Sequence, residues 1–482
     1  MTPLTNRERV SIGLALLAFI VAASLFLQGK EATDTYNGDK RRTEHDARLS
    51  SLAQFESRGG AGQPCVAAAD GGAGAAVSGA TGRLFAGEIV RSFKPPRRFN
   101  SAQPPKSDGK NGSLLPLSTA VRACDNWGVL TTINPPTDAV HTLMQNERHS
   151  AWCLIVVGDT KTPGEEYAQL MKKHAGRLYY VDADAQRAWE PRSTFVANTP
   201  WKHFGRKNLG YLFAAQNGAK VIWDFDDDNE VLPDVEILEN GPAQMAPVDP
   251  SKCRAYNPYP AKSPPSLPCW PRGLPLDLIK SEECSRAPSA GSTLPQGAPV
   301  PTVYQGLAQH DPDVDAIYRL TRELPFNFAT RQQALSIPKG VFSPWNAQAT
   351  LVSREAFWSL YLPTTVNGRV SDIWRSYFAK RIMDNANQTV AFTGPKVVQI
   401  RNVHNYIADL DAERHLYERA GALLDFLTAW RPPYTHIPGQ LEDLYISLYE
   451  RDYVEEKDVT QIQNWLQALL AINYAFPPVA AA

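Results

Sequence analysis

Residues 201–229 read WKHFGRKNLGYLFAAQNGAKVIWDFDDDN, and they combine the local signals of a helix, a strand and an acidic strand end. Residues 205–217 have the apolar spacing of a helix with one buried face. Gly218 suits the end of that helix, because glycine readily adopts the left-handed conformation found there. The apolar run 220–225 predicts the next strand, which ends on the aspartates at 226–228.

Three consecutive carboxylates at a strand end need an explanation, because like charges repel unless water or a cation neutralises them. Side chains alternate along a strand, so Asp226 and Asp228 are expected on the same side. Two carboxylates, completed by phosphate and water, suit Mg²⁺ or Mn²⁺. A solvated acidic loop is the alternative. The strand before the aspartates, and Arg206 and Lys207 in the preceding helix, favour a metal and diphosphate site.

The pattern around this stretch predicts an α/β fold. From Trp152 onwards, short apolar strands alternate with helical stretches, which is typical of a parallel or mixed sheet covered by helices. Residues 242–301 interrupt the pattern with fourteen prolines in sixty positions and predict an ordered insertion or a mobile lid. After Asn402 the apolar spacing becomes helical. We therefore expect a main domain over residues 148–405 and a helical C-terminal extension over 406–482.

The first part of the chain has a different character. Residues 10–27 carry no charge and follow Arg7 and Arg9, which predicts a transmembrane signal anchor at 10–28 with residues 1–9 in the cytoplasm. A cleaved signal peptide is the alternative. Residues 29–147 are rich in glycine, alanine and proline and are expected to form a flexible stem. The remainder of the chain then lies in the lumen.

Charge and cysteine content narrow the class of partners. The 49 basic and 50 acidic residues give a net charge of -1, which excludes nucleic acid binding through a general basic field. Six cysteines in a secretory compartment predict disulfides. Cys253, Cys269 and Cys284 fall in the insertion, and their pairing stays open. Cys153 lies in an apolar strand and is expected to be a buried free thiol.

The motif R-x-N-x-G, followed by a helix, a strand and D-x-D, resembles glycosyltransferases of the GT-A fold that use nucleotide sugars. The longer string 199–229 is similar to the STELLO family, Golgi glycosyltransferase-like proteins of plants and their relatives. GRVSDIW at 368–374, RNVHN at 401–405 and residues 409–430 share that resemblance. It covers about residues 150–470 and implies a GT-A-like mixed sheet flanked by helices.

The resemblance implies a role for each candidate residue. Asp226, Asp228 and His404 would hold the metal ion, and Asp372 would face the acceptor as general base. The donor-binding candidates are Val157, Asp159, Asp182, Asp184, Arg206, Lys207, Asn208 and Asp227. The structural alternatives are turn aspartates, a solvated helix face for the basic pair, a structural histidine, and a helix N-cap for Asp372.

A more distant similarity connects the chain to the reversibly glycosylated polypeptides, which act as UDP-arabinopyranose mutases. Arg272 in RGLPL, Asp372 in SDIW and His404 match that family by position. The arginine carries the sugar there, which makes Arg272 a second catalytic candidate. Leu274 stands here where that family has an aromatic residue.

Together these patterns lead to one main expectation and two alternatives. The main one is a single-pass type II Golgi membrane glycosyltransferase, with a UDP-sugar donor, a glycan or protein acceptor, and Mn²⁺ or Mg²⁺. It would act in glycan or cell-wall polysaccharide synthesis. The first alternative is a non-catalytic organiser of cellulose synthase or other glycan-synthesis complexes, as the STELLO resemblance implies. The second is a sugar-nucleotide mutase.

Overall fold

The computed structural model describes residues 88–99, 113–239, 241, 243–263, 268–289, 291–330, 332–401 and 405–479. The predicted cytoplasmic tail 1–9 and the predicted transmembrane segment 10–28 lie outside these ranges, and so does His404. Within the described ranges, none of the helices is both long enough and apolar enough to cross a bilayer.

Ten strands and eleven α-helices form the described part of the chain. The strands are β1 Asn126–Thr132, β2 Cys153–Gly158, β3 Leu178–Val181, β4 Val221–Asp224, β5 Asn229–Val231, β6 Ala243–Met245, β7 Val300–His310, β8 Ala334–Ser336, β9 Thr350–Ser353 and β10 Gln388–Gln399. The helices are α1 Asp138–Gln145, α2 Gly164–Lys173, α3 Ala183–Trp189, α4 Thr194–Ala197, α5 Lys207–Gln216, α6 Ala316–Thr321, α7 Gly368–Met383, α8 Tyr406–Ala412, α9 Arg414–Ala429, α10 Ile437–Glu450 and α11 Glu456–Ala471.

All ten strands belong to one mixed sheet in the order β3-β2-β1-β4-β9-β7-β10-β8-β6, with β5 paired to β10. Strands β3, β2, β1 and β4 are parallel, and β9 lies antiparallel between β4 and β7. Parallel strands need both faces covered. Helices pack against this sheet, so the predicted mixed α/β fold with a helix-flanked sheet is confirmed.

Helix α5 and strand β4 confirm the helix predicted over residues 205–217 and the strand predicted over 220–225, each within three residues at either end. Gly218 follows the helix with a φ of 90°, the left-handed conformation expected at a helix end. Gly210 faces the sheet, and a Cβ there would lie 2.6 Å from the side chain of Val129. The absence of a side chain therefore allows α5 to lie close to β1.

The prediction of a flexible stem is wrong for its last part. Strand β1 lies at the centre of the parallel group, and Trp127 is fully buried. A disulfide between Cys124 and Cys153 connects the segment before β1 to β2, so the prediction of a free thiol at Cys153 is also wrong. The strand NWGVLTT has only seven residues and follows a long stretch of weak patterning, which is why periodicity alone missed it.

The proline-rich insertion is an integral part of the fold where it is described. A disulfide joins Cys253 to Cys284, and the thiol of Cys269 is free and buried. Trp270 and Leu274 are buried in the main hydrophobic core. The insertion therefore shares its core with the sheet rather than lying apart from it.

One buried carboxylate contributes to the attachment of the C-terminal helices to the sheet domain. Asp458 in α11 is fully buried and accepts hydrogen bonds from Tyr361 Oη at 2.6 Å and from the backbone N–H groups of Thr364 and Thr365 at 2.7 and 3.0 Å. The hydroxyl groups of both threonines also donate to it. Residues 361–365 lead into α7, so this carboxylate connects α11 to the start of that helix.

We expect Asp458→Ala to lower the free energy of unfolding by about 3 kcal/mol, because several buried donors lose their acceptor together. Thermal and denaturant unfolding of the full chain measure this loss. Glu456→Ala is the control, since Glu456 is exposed in the same helix turn, and it should change stability by less than about 0.5 kcal/mol. Equal effects of the two substitutions would contradict the assignment.

Candidate functional site

A buried ammonium group organises the acidic end of β4. Lys207 is the first residue of α5, and its Nζ lies 2.7 Å from Asp224 Oδ1 and 2.9 Å from Asp226 Oδ1. It also donates to the carbonyl of Ala347 at 2.8 Å. Burial lowers the pKa of Lys207, but the two carboxylates outweigh burial and raise it, so the amine stays charged. On the other side of Asp224, Arg375 Nη1 lies 3.3 Å from Oδ2.

The sequence suggested that Lys207 binds a donor phosphate, or else that it lies on a solvated helix face. Lys207 does neither, because its side chain is buried between two carboxylates. Its Nζ donates to Asp226 and to the carbonyl of Ala347 and is ion-paired with Asp224, so three protein oxygens surround the buried ammonium. Its role is to hold the carboxylate of Asp226 in place.

Asp227 is directed away from that network. Its Oδ2 accepts hydrogen bonds from the hydroxyl of Thr132, at the end of β1, and from Nδ2 of Asn134 at 2.8 Å. It therefore fastens the acidic turn to the neighbouring strand. Asp227 also lines the cleft, and Asp226 and Asp228 stay the candidates that the sequence predicted for binding a cation.

Asp226 and Asp228 both line a cleft of about 420 Å³ at this edge of the sheet. The Asp226 side chain is 48% exposed. Desolvation of the carboxylate raises its pKa to about 7; Asp228 and Asp224 add to the rise, and Lys207 opposes it. Asp228 accepts hydrogen bonds from Asn229 at 3.0 Å and Gln399 at 2.9 Å. Burial raises its pKa as well. Both carboxylates would thus be stabilised by an added positive charge.

The donor set fits a divalent ion that takes few protein ligands. Among the described residues, no group of three or more histidine, cysteine, aspartate or glutamate side chains is placed to hold a metal ion. Mg²⁺ in phosphate sites usually takes one or two carboxylates and completes its shell with phosphate and water. Asp226 and Asp228 meet that requirement. The third predicted ligand, His404, lies outside the described residues.

The cleft is also lined by arginines, and one of them is a residue that the sequence analysis missed. Arg401 lines the cleft, and its Nη1 is buried with no hydrogen-bond partner among the described residues. Burial lowers the pKa of Arg401, and the nearby Arg319 and Arg369 lower it further. Arg369 also lines the cleft, although Glu413 pairs with its guanidinium. Arg401 is the first residue of the RNVHN motif, in which the sequence analysis named only His404 as a candidate.

Arg272 lies in the cleft wall with every N–H group used. Its Nε and Nη2 donate to Asp313 at 2.8 and 2.9 Å, and its Nη1 and Nη2 donate to Asp372 at 3.1 and 2.9 Å. Nη1 also donates to the carbonyl of Arg369. Guanidinium has five N–H donors, and all five are taken. Burial lowers the pKa of Arg272, but the two carboxylates raise it well above its usual value. This geometry does not support Arg272 as the carrier of a sugar.

Asp372 is not a helix N-cap, because the side chain of Asn367 caps α7 and Asp372 lies inside the first turns. Its two oxygens accept the hydrogen bonds from Arg272 described above. They also accept from the backbone N–H groups of Ile373 at 2.9 Å and Ala347 at 3.3 Å. Asp372 does line the cleft, but both of its oxygens already have partners.

The candidates at the end of β2 form part of the scaffold. Val157 is fully buried in the core. Asp159 is buried, and its Oδ2 accepts from the backbone N–H of His203 at 3.1 Å, which fixes the loop before α5. Its Oδ1 accepts from the following N–H of Thr160 at 2.6 Å.

Arg206 is fully buried and is not on a solvated helix face. Its Nε donates to Gln186 at 2.6 Å and its Nη1 to the carbonyl of Thr199 at 2.9 Å, while the guanidinium lies 3.5 Å from the ring centroid of Trp201. Burial lowers the pKa of Arg206 to about 10. Its main visible role is to hold the loop at residues 199–206.

Three further donor-binding candidates have structural roles. Asn208 exchanges two hydrogen bonds with the backbone of Leu362, at 3.0 and 2.8 Å. Asp182 caps α3 by accepting from the N–H of Ala185 at 2.8 Å. Asp184 is exposed and pairs with Arg187. The structural alternative therefore accounts for each of these side chains.

Fold and cleft together describe a mixed α/β protein whose acidic strand end and three arginines line one cleft. Comparison with known proteins then identifies the class. Residues 369–481 match the family model described as STELLO glycosyltransferases. The chain is 30% identical over 374 residues to the probable glycosyltransferase STELLO2 of Arabidopsis thaliana and 28% identical over 374 residues to STELLO1. These matches support a STELLO-like family assignment for the chain.

The similarities cover different shares of the proteins compared. The alignments cover 73% of this chain but 46% and 45% of the two relatives, so the chain spans less than half the length of the curated relatives it matches. Among solved structures, S. aureus TarS 1-349 in complex with UDP-GlcNAc covers 71% of this chain and 72% of that one, with 9% identity and a TM-score of 0.26.

We expect Lys207→Met to lower the free energy of unfolding by about 3–5 kcal/mol, because it leaves the carboxylates of Asp224 and Asp226 without their shared cation. Denaturant unfolding measures the change. Lys220→Met is the matched control, because Lys220 pairs with Asp125 at 2.8 Å on the surface and should contribute less than about 1 kcal/mol. If both variants lose the same amount, the buried pair does not have the role assigned to it.

Proposed function

We propose that this STELLO-like chain binds a nucleotide-diphosphate sugar, with UDP as the nucleotide, together with Mg²⁺ or Mn²⁺ in the 420 Å³ cleft. The observation that carries the proposal is that Asp226, Asp228 and Arg401 line one cleft, and that Nη1 of Arg401 is buried there with no hydrogen-bond partner among the described residues. A diphosphate with its metal ion needs carboxylates on one side and a cation on the other. The GT-A character of the site, as the sequence resemblance implies, is part of this proposal.

Each side chain then has a defined task. Asp226 and Asp228 would hold the ion, which supplies Lewis-acid stabilisation of the charge on the leaving diphosphate. Arg401 would donate its free N–H to a phosphate oxygen, as a charge-assisted hydrogen bond. Lys207 fixes the position of Asp226, and Asp227 fixes the turn, so the acidic end is preorganised before a ligand arrives.

The sequence resemblance also underlies the cellular part of the proposal. We place the chain in the Golgi membrane, anchored by residues 10–28 with the cleft in the lumen, and acting on a glycan or protein acceptor. Cellulose synthase and other glycan-synthesis proteins are the proposed partners.

One observation favours a second candidate function, that of a donor-binding organiser without turnover. Glycosyl transfer to a hydroxyl group requires a base or another route for the departing proton. Asp372 is the cleft carboxylate that the sequence predicted as this base, and both of its oxygens are already hydrogen-bonded to Arg272. Donor binding and transfer are therefore tested separately.

Calorimetry of the full chain with UDP and Mn²⁺ tests the binding site. We expect Asp226→Asn and Asp228→Asn each to weaken Mn²⁺-dependent UDP binding by about tenfold or more, since an amide is a poorer ligand for a hard cation than a carboxylate. Asp184→Asn, at an exposed aspartate outside the cleft, should bind as the wild type does. Unchanged affinity and metal dependence in both cleft variants would remove the support for the proposal.

Release of UDP from a panel of UDP-sugars with sugar acceptors tests turnover. If the chain is a transferase that uses Asp372 as base, Asp372→Asn should lower the rate of release by about 10²-fold while UDP affinity stays within about threefold. Thermal unfolding of this variant controls for loss of the contact with Arg272. Wild-type protein that binds UDP with Mn²⁺ but releases none from any donor supports the organiser instead.

A further inference from the structure

A second and larger cavity lies next to the cleft, and nothing in the proposed donor site uses it. It has a volume of about 970 Å³, at the upper end of the range for ligand sites. Three segments form its walls: residues 197–201 after α4, the loop at 364–365, and the first turns of α11. The cavity therefore lies where the C-terminal helices meet the sheet domain.

The walls of this pocket combine an indole with neutral polar groups. Trp201 contributes the aromatic surface, while Asn198 and Thr460 contribute an amide and a hydroxyl. Neither of these two side chains forms a hydrogen bond with another described residue. Amides and hydroxyls both donate and accept, which matches the hydroxyl groups of a sugar. Arg206 and Arg187 lie 3.5 and 5.1 Å from the ring centroid of Trp201, and the part of the indole that they leave open would pack on the apolar face of a sugar ring.

The pocket walls are held in place before any ligand binds. The guanidinium of Arg206 lies 3.5 Å from the ring centroid of Trp201 and is itself fixed by Gln186. Asp458 fixes Thr364 and Thr365 through their backbone N–H groups. Fixed walls reduce the entropy lost on binding. Glu455, Glu456 and Lys457 also line the pocket, and Glu455 pairs with Arg91 at 2.9 Å, so the lining carries little net charge and suits a neutral ligand.

The same two loops line both spaces. In the first loop, Trp201 lines the pocket and Phe204 lines the donor cleft. In the second, Thr365 lines the pocket and Asn367 lines the cleft. Two or three residues separate the members of each pair, so their Cα atoms lie within about 11 Å of one another. A chain of sugar units in the pocket could therefore extend towards the cleft.

We propose that this pocket binds a neutral oligosaccharide. That this oligosaccharide is the distal part of the acceptor rests on the proposed function. The binding of the oligosaccharide to the pocket does not. A basic peptide is the other class that the acidic residues at the pocket would tolerate, and the experiment includes it.

The full chain is titrated with maltotetraose, cellotetraose, xylotetraose, tetralysine, and UDP with Mn²⁺. We expect at least one tetrasaccharide to bind, and Thr460→Trp, which fills the pocket from α11, to weaken that binding by at least tenfold. UDP binding should not change in this variant. Gln169→Trp, which adds the same indole on an exposed position of α2, is the control and should bind as the wild type does.

Trp201→Ala is the second variant and should also lose the tetrasaccharide, with unfolding measured because Arg206 packs on this ring. Three results would overturn the proposal. They are a failure of every tetrasaccharide to bind, an equal affinity of wild type and Thr460→Trp for the tetrasaccharide, and binding of tetralysine as the only pocket ligand. Saccharide binding without UDP binding would instead support the pocket and contradict the proposed donor site.

Discussion

The buried ammonium of Lys207 is the contact on which the acidic strand end depends. It lies between Asp224 and Asp226 and so joins the start of α5 to the end of β4. Without it, carboxylates so close together in a partly buried position would repel one another. Arg375 balances Asp224 from the other side and brings α7 into the same network. The charged groups therefore fix the relative positions of a strand and two helices at the cleft.

A second charged cluster closes the other side of the cleft. Arg272 comes from the proline-rich insertion, Asp313 from the loop after β7, and Asp372 from α7, and the arginine joins the two carboxylates. Because all N–H donors of Arg272 are used, this cluster forms a rigid wall of the cleft. The groups left free to meet a ligand are those that line the cleft without such partners, above all Arg401. The distinction between fixed and free polar groups is what assigns roles here.

The match to the STELLO family model and the acidic strand end lie in different parts of the chain. The matched residues 369–481 include α7, Arg401 and the C-terminal helices, whereas Asp226 and Asp228 precede them by more than a hundred positions. The cleft combines both parts. Asp458 secures the C-terminal helices to the loop that leads into α7, so the matched region is continuous with the site. This explains how the helical extension can influence a cleft whose carboxylates lie elsewhere in the chain.

The sequence by itself determined the helix α5, the strand β4 and the aspartates at its end, because period, glycine and strand-end signals are local. It placed Asp226, Asp228 and Asp372 at one cleft through resemblance. Only the tertiary structure decided that Lys207 is locked, that Arg272 has no free donor, and that β1 belongs to the sheet. Periodicity reports which face of an element is buried, but not which charged group from a distant segment lies opposite. That partner decides whether a polar side chain is free to act.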